Sequence, residues 1–298
     1  MKYKRYTGSV CLLLLSIFIV STLLISGCSH EKTVQPENSD PSRQETVLVT
    51  GNGIMHEQQM TLIDMLKLPD AQFEHIYSVI NNWPVEKKLA AKGIKIAALL
   101  QAAGIKDEAK CITIKGEDGY ECSFTREQML ETKRYHFPGV MDRDTVGAEL
   151  VEPIIAYEYM ENTDQLNEAR ADSLCLIMPQ ANVNEQTYHT FVKGVEEIVV
   201  SEKNPGKWDT ATIYPDPGSI AKGDKAKLQH KEIGKVKMYY TMDGSNPTVE
   251  STLYNPSTYQ PELNQPIVID QDTTIKILTK GFGKYDSDIA EYHYKVNK

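Results

Sequence analysis

The stretch from Tyr77 to Ile105 (YSVINNWPVEKKLAAKGIKIAALLQAAGI) holds the side chains best placed to meet a ligand. Asn81, Asn82 and Trp83 stand directly before Pro84, with Val79 and Ile80 behind them. Two amides and an indole at the end of an extended run suit a loop that presents polar groups to a small ligand. The thiols are the other reactive groups. Of five cysteines, Cys11 lies in an apolar leader and Cys28 closes it, which leaves Cys111, Cys122 and Cys175. An odd number cannot form a fully paired disulfide framework. Cys111 and Cys122 flank the turn sequence Gly116-Glu117-Asp118-Gly119, so either a cross-strand bridge or two buried free thiols fits. Neither CxxC nor HExxH spacing occurs, and those are the spacings that announce zinc-type sites.

These residues need elements to hold them. Gly93 is followed by Ile94, Ile96, Leu99, Leu100 and Ile105 at helical spacing, with Gly104 as a stop, which predicts a helix behind the polar loop. Val47–Thr50 reads as a strand ending at Gly51-Asn52-Gly53. Thr61–Leu66 reads as a short helix capped by Thr61 and stopped before Pro69. A hairpin follows, from Cys111–Lys115 to Tyr120–Phe124. Thr125 then begins another helix, with Gln128 in the capping-box position. Lys133–Val151 is irregular, Leu174–Met178 is an apolar strand, and Phe191–Val200 closes the segment as extended chain. Strands and helices mix without regular βαβ alternation, so the expectation for residues 45–203 is an α+β domain.

Composition changes near Asn204-Pro205-Gly206, and residues 208–298 read as a second, all-β domain. Lys235–Thr241 alternates apolar and polar residues and breaks at Asp243-Gly244-Ser245-Asn246-Pro247. Pro266–Ile269, Thr273–Leu278 and Ile289–Tyr294 are further strands. Short strands with turns between them suggest a small sandwich.

The N-terminus is a different kind of segment. Lys2, Lys4 and Arg5 precede an apolar run from Val10 to Ile25, which is a secretory signal pattern over residues 1–27. Ile25-Ser26-Gly27-Cys28 resembles the lipobox of bacterial lipoproteins. The resemblance implies a diacylglyceryl group on Cys28, which two acyl chains make a stable anchor. The membrane is then a partner through Cys28, and the chain faces the outside of the cytoplasmic membrane. Residues 28–44 are polar with two prolines and read as a disordered tether. The whole chain carries −9 and the leader three of its cations, so the remainder is about −12. So acidic a surface argues against a nucleic-acid partner.

Two family resemblances cover the rest. Val49-Thr50-Gly51-Asn52-Gly53, Asn82-Trp83-Pro84, Gly93 to Ile105, Asp118-Gly119-Tyr120, Glu152–Ala156 and Phe191-Val192-Lys193 resemble, in that order, the molybdopterin-binding domain of the sulfite oxidase family. The resemblance implies a molybdopterin cofactor and oxidoreductase chemistry at a molybdenum held by a cysteine thiolate. Such a cofactor needs amides for its ring and cations for its phosphate. The candidate cofactor-binding residues are Asn81, Asn82, Trp83, Tyr120, Arg134, Asn184 and Lys193, with His136, Gln186 and His189 nearby in sequence. Each also has a plain reading: Asn81-Asn82 as a turn, Trp83 as a wall, Arg134 and Lys193 as exposed charges. The sequence departs from the family where the thiolate belongs. Alignment on Trp83 puts Val79 or Ile80 there. The expected function is therefore a surface lipoprotein that binds or scaffolds through a molybdopterin-binding-like domain. The alternatives are an active molybdopterin-dependent oxidoreductase and a wall or glycan interaction protein.

In the second domain, Tyr239–Thr248 (YYTMDGSNPT), Ser251–Tyr254, Thr274-Ile275-Lys276 and Ser287 resemble the Ig-like module named for the C-terminus of chitobiase and β-hexosaminidase. That resemblance implies an accessory domain without catalytic residues. Tyr254 and Tyr259 are its candidates for stacking on sugar rings in a cell-wall contact.

Overall fold

Period-two burial, rather than helical periodicity, marks the segments Cys111–Gly116, Asp224–Gln229 and Thr273–Gly281. The computed structural model describes residues 45–257 and 260–297. The leader, Cys28, the tether and Tyr259 lie outside the described residues. In chain order the first half has strands β1 (Thr46–Thr50), β2 (Gln58–Thr61), β3 (Gln72–Ile80), β4 (Glu86–Lys95), β5 (Cys111–Gly116) and β6 (Glu121–Thr125). It continues with β7 (Tyr135–His136), β8 (Glu149–Leu150), β9 (Ile154–Glu161), β10 (Arg170–Ile177) and β11 (Val195–Ser201). Its helices are α1 (Leu62–Leu66), α2 (Ile96–Ala102) and one π-turn at Glu127–Glu131.

One sheet has the order β2-β1-β11-β5-β6, with β1 parallel to β11 and the other pairs antiparallel. Another has the order β10-β9-β4-β3 and is antiparallel throughout. Val47, Ile112 and Ile198 of the first sheet share a core with Ile155, Leu174 and Leu176 of the second. Helix α2 adds Ile96, Leu99 and Leu100 to that core.

The expected α+β class, an α+β domain followed by a small Ig-like sandwich, does not hold. The chain is mostly β, 45% strand and 12% helix, in several sheets. Two things mislead a reading by pattern. The helices are segments of one or two turns, five to seven residues long, that no isolated chain would hold, so they form no layer. The longest strand, β4 (EKKLAAKGIK), is rich in Lys and Ala, which have weak β preference. It is a strand because β3 and β9 pair with both its edges.

The helix expected from Gly93 accordingly begins at Ile96, with Gly93 and Ile94 still in β4. A Cβ on Gly93 would stand 2.5 Å from the Ile155 carbonyl oxygen, beside a register shift between Lys92 and Gly93. Glycine is there to let β9 approach, not to start a helix.

The second half has strands β12 (Thr212–Tyr214), β13 (Gly218–Ile220), β14 (Asp224–Gln229) and β15 (Val236–Thr241). It ends with β16 (Thr252–Leu253), β17 (Ile267–Ile269), β18 (Thr273–Gly281) and β19 (Ala290–Val296). Its sheets have the orders β12-β14-β17 and β13-β19-β18-β15-β16. Leu228, Met238, Ile269, Ile275, Ile277 and Tyr294 form their common core. Tyr254, a candidate for sugar stacking, is buried in this core, so its ring is not on offer to a glycan.

Candidate functional site

Alternation along β15 gives that strand two working faces. Met238 and Tyr240 point into the core of the second half, so Lys237 and Tyr239 project from the opposite side. In the pairing with β18, Lys237 is opposite Lys280 and Tyr239 opposite Leu278. This second face meets the first half. Phe282, just past β18, packs into the core of the first half, its ring 5.4 Å from Phe124 and 5.9 Å from His189. The Arg134 guanidinium carbon lies 5.7 Å from the same ring.

Polar groups fasten the seam as well. Thr125 and Gln128 form the expected capping pair: Gln128 N–H donates to Thr125 Oγ1 at 3.1 Å, and Thr125 N–H to Gln128 Oε1 at 3.0 Å. The same Gln128 amide also accepts from Gly283 N–H at 3.0 Å and donates to Gly281 O at 2.9 Å. Elsewhere Ser257 Oγ donates to Asn82 O at 2.9 Å, and Gln186 Nε2 to Pro256 O at 2.5 Å.

Along this seam runs a cleft of about 690 Å³, within the range of small-molecule sites. Its walls come from both halves: Gln128, Arg134, Gln186 and His189 on one side, Lys237, Tyr239 and Phe282 on the other. Six cationic and four carboxylate side chains line it, in a chain whose net charge is −9. Lys237 Nζ donates to Asn255 O at 3.1 Å and Pro256 O at 3.5 Å, and among the described residues it pairs with no carboxylate. Burial lowers its amine to about 8. Burial, and secondarily the charge on Lys237, lowers His189 to about 4, so its ring is neutral at pH 7. His189 Nδ1 and Gln186 Oε1 are buried without a hydrogen-bond partner.

The residues expected to bind a cofactor do not gather at one place. Asn82 and Arg134 line the seam cleft. Tyr120 is not in the cleft lining, and its hydroxyl donates to His189 O. Arg134 is fully engaged: Nε and Nη2 donate to Gln128 O, Nη1 to Pro179 O at 2.7 Å and to Glu185 Oε2 at 3.1 Å. Asn81 closes a turn, its Oδ1 accepting from Trp83 N–H at 2.9 Å and Val85 N–H at 3.0 Å. Trp83 is 54% exposed. Asn184 meets Arg143 at 3.4 Å. Lys193 stands 3.9 Å from Glu161 and 5.8 Å from the Tyr159 ring, away from the cleft lining. His136 is buried beside His75, ring centroids 5.6 Å apart.

Lys237 and Phe282 also line this cleft, and the strand pattern holds the clue to the first. In Lys235–Thr241 both Met238 and Tyr239 are large, so both faces of the strand had something to bury. Of the loop Asn81-Asn82-Trp83, Asn82 lines the cleft and the other two do not.

The donor set can be tested against molybdopterin. Val79 and Ile80, which stand where the family's thiolate belongs, are completely buried apolar residues of β3. Cys175 is buried in β10, and burial pushes its thiol up to about 12. Cys122 is also pushed up to about 12 by burial, and Cys111 is raised for the same reason. Cys111 opposes Thr125 and Cys122 opposes Ile114, so the hairpin does not align the two thiols, and all three cysteines are free. None of the three lines the cleft. The residues present do not fit the group.

The C-terminal part of the chain matches a family model described as Fn3 associated, over residues 227–294. The expectation of a chitobiase-type module thus reduces to the coarser statement that the C-terminal end carries an Fn3-associated domain. No curated protein matches the chain by sequence. Among solved structures, the sulfane dehydrogenase SoxCD from Paracoccus pantotrophus is similar at 12% identity and a TM-score of 0.37, covering 81% of this chain and 68% of that one. The glycoside hydrolase domain of Endo-D from Streptococcus pneumoniae R6 follows at 11% identity and a TM-score of 0.21, covering 75% of this chain and 32% of that one. The chain therefore has a weak structural similarity to an oxidoreductase, too loose to carry an argument about activity.

Proposed function

We propose that this chain is a lipid-anchored binding protein of the cell envelope, held on the outer face of the cytoplasmic membrane through Cys28. The seam cleft takes a small ligand, and the chain does no molybdenum chemistry. The observation that carries this reading is the lining of the cleft: cationic side chains, amides and four carboxylates drawn from both halves, with no thiol among them. The apolar Val79 and Ile80 at the thiolate position support it from the other side. A redox cofactor supplies the reaction only where the protein can hold and tune it. The Ile25-Ser26-Gly27-Cys28 sequence supports the anchor, and the acidic net charge supports an exposed module with no nucleic-acid partner.

The test is direct. Lipoprotein purified from its native host is analysed for molybdenum and pterin, and screened by thermal shift against small organic compounds. The proposal predicts neither metal nor pterin, and a rise in Tm with some ligands. Stoichiometric molybdenum or pterin would sink it.

A further inference from the structure

Lys237 and Lys280 face each other across β15 and β18, on the side of the sheet that lines the cleft. Like charges directly opposite one another destabilise a sheet pair. Lys280 resolves its share by pairing with Asp286. Lys237 does not: its only polar contacts among the described residues are two main-chain carbonyls. A half-buried ammonium with no carboxylate beside it leaves its charge for a ligand to meet. The other five cations of the lining each stand within 3.9 Å of a carboxylate, which leaves Lys237, among the described residues, as the one lining cation without an ion pair. Beside these polar groups stand the apolar surfaces of Tyr239, Val249 and Phe282.

We infer that the seam cleft is a site for a small organic anion, its acid group seated on Lys237 and its apolar body against Tyr239, Val249 and Phe282. This rests on the binding function proposed above and specifies the ligand class. His189, neutral at pH 7, and the Gln186 amide flank the position of the acid group as neutral polar neighbours. Arg134 does not compete for it, because its guanidinium is already bound to Gln128, Pro179 and Glu185.

The test uses the full lipoprotein in nanodiscs, with benzoate as the anionic probe and benzamide as its neutral counterpart of the same shape. Binding is followed by saturation-transfer NMR at pH 7. Benzoate is expected to bind about tenfold more tightly than benzamide, since a charge-assisted contact replaces a neutral one. Lys237→Met should remove that preference and Lys237→Arg should keep it, with thermal melting showing that each variant is folded. Equal binding of the two probes, or a preference that survives Lys237→Met, overturns the anion assignment and leaves the cleft a neutral-ligand site. Absence of binding by both probes overturns the assignment together with the binding function.

Discussion

Gln128 holds one end of the π-turn and the second half of the chain with the same amide. Its Oε1 accepts from Thr125 N–H and Gly283 N–H, both at 3.0 Å. Its Nε2 donates to Gly281 O at 2.9 Å and Lys284 O at 3.3 Å. Gln128→Ala deletes the capping acceptor and every one of these seam bonds. With about 1 kcal/mol net for each well-formed hydrogen bond, the loss is about 3 kcal/mol. Thr125→Ala deletes only the hydroxyl half of the cap and costs about 1 kcal/mol. Urea unfolding separates the two. The chain has two tryptophans, and Trp208 is buried in the second half. In a Trp83→Phe background its fluorescence reports that half alone. Gln128→Ala, a change in the first half, should lower the stability reported by Trp208 about three times as much as Thr125→Ala does. A Gln128→Ala cost no greater than that of Thr125→Ala, or a Trp208 transition left in place, would refute the claim that this amide couples the halves.

Three other outcomes are expected. Gly93→Ala pushes a Cβ to 2.5 Å from the Ile155 carbonyl oxygen and should cost about 2–3 kcal/mol, read as a lowered Tm; a neutral variant would contradict the register of β4 and β9. Cys175, its thiol pushed up to about 12 by burial, should react with a thiol reagent at pH 8 only after unfolding, and rapid labelling of the native protein would contradict its burial. His136 is lowered to about 4 by burial first and by His75 second, against an ordinary value of 6.5. The unfolded chain therefore takes up the proton first, so stability falls as pH drops from 6.5 towards 4. His136→Phe should flatten part of that decline in urea midpoints measured against pH, and an unchanged slope would remove His136 from the account.

What the sequence showed depended on how local the cause was. The capping box at Thr125 and Gln128, the cap of α1 on Thr61 and the hairpin at Gly116–Gly119 are set by residues within a few positions, and all three were legible. The strand character of β4 was not, because it comes from two neighbours far along the chain rather than from its own Lys and Ala residues. The mostly β class was missed for that reason. Asn82 and Arg134 both line the cleft, but the plain expectation for Arg134, an exposed charge, does not hold: it is buried against Pro179 and Glu185, some fifty positions away. Lys237 is a mixed case: the large residues on both faces of its strand hint at two buried sides, but nothing local says that the second side meets another half of the protein.

The most direct measurement is the titration of Lys237 itself. Reductive dimethylation with ¹³C gives each lysine an NMR signal, and Lys237→Arg assigns the one that matters. In the free lipoprotein that signal should titrate near 8, the value to which burial lowers the amine. With benzoate present it should move up by more than one unit, because an anion seated on Nζ favours the charged form. A Lys237 that titrates like the surface lysines, or one that benzoate leaves unmoved, would contradict the anion cleft.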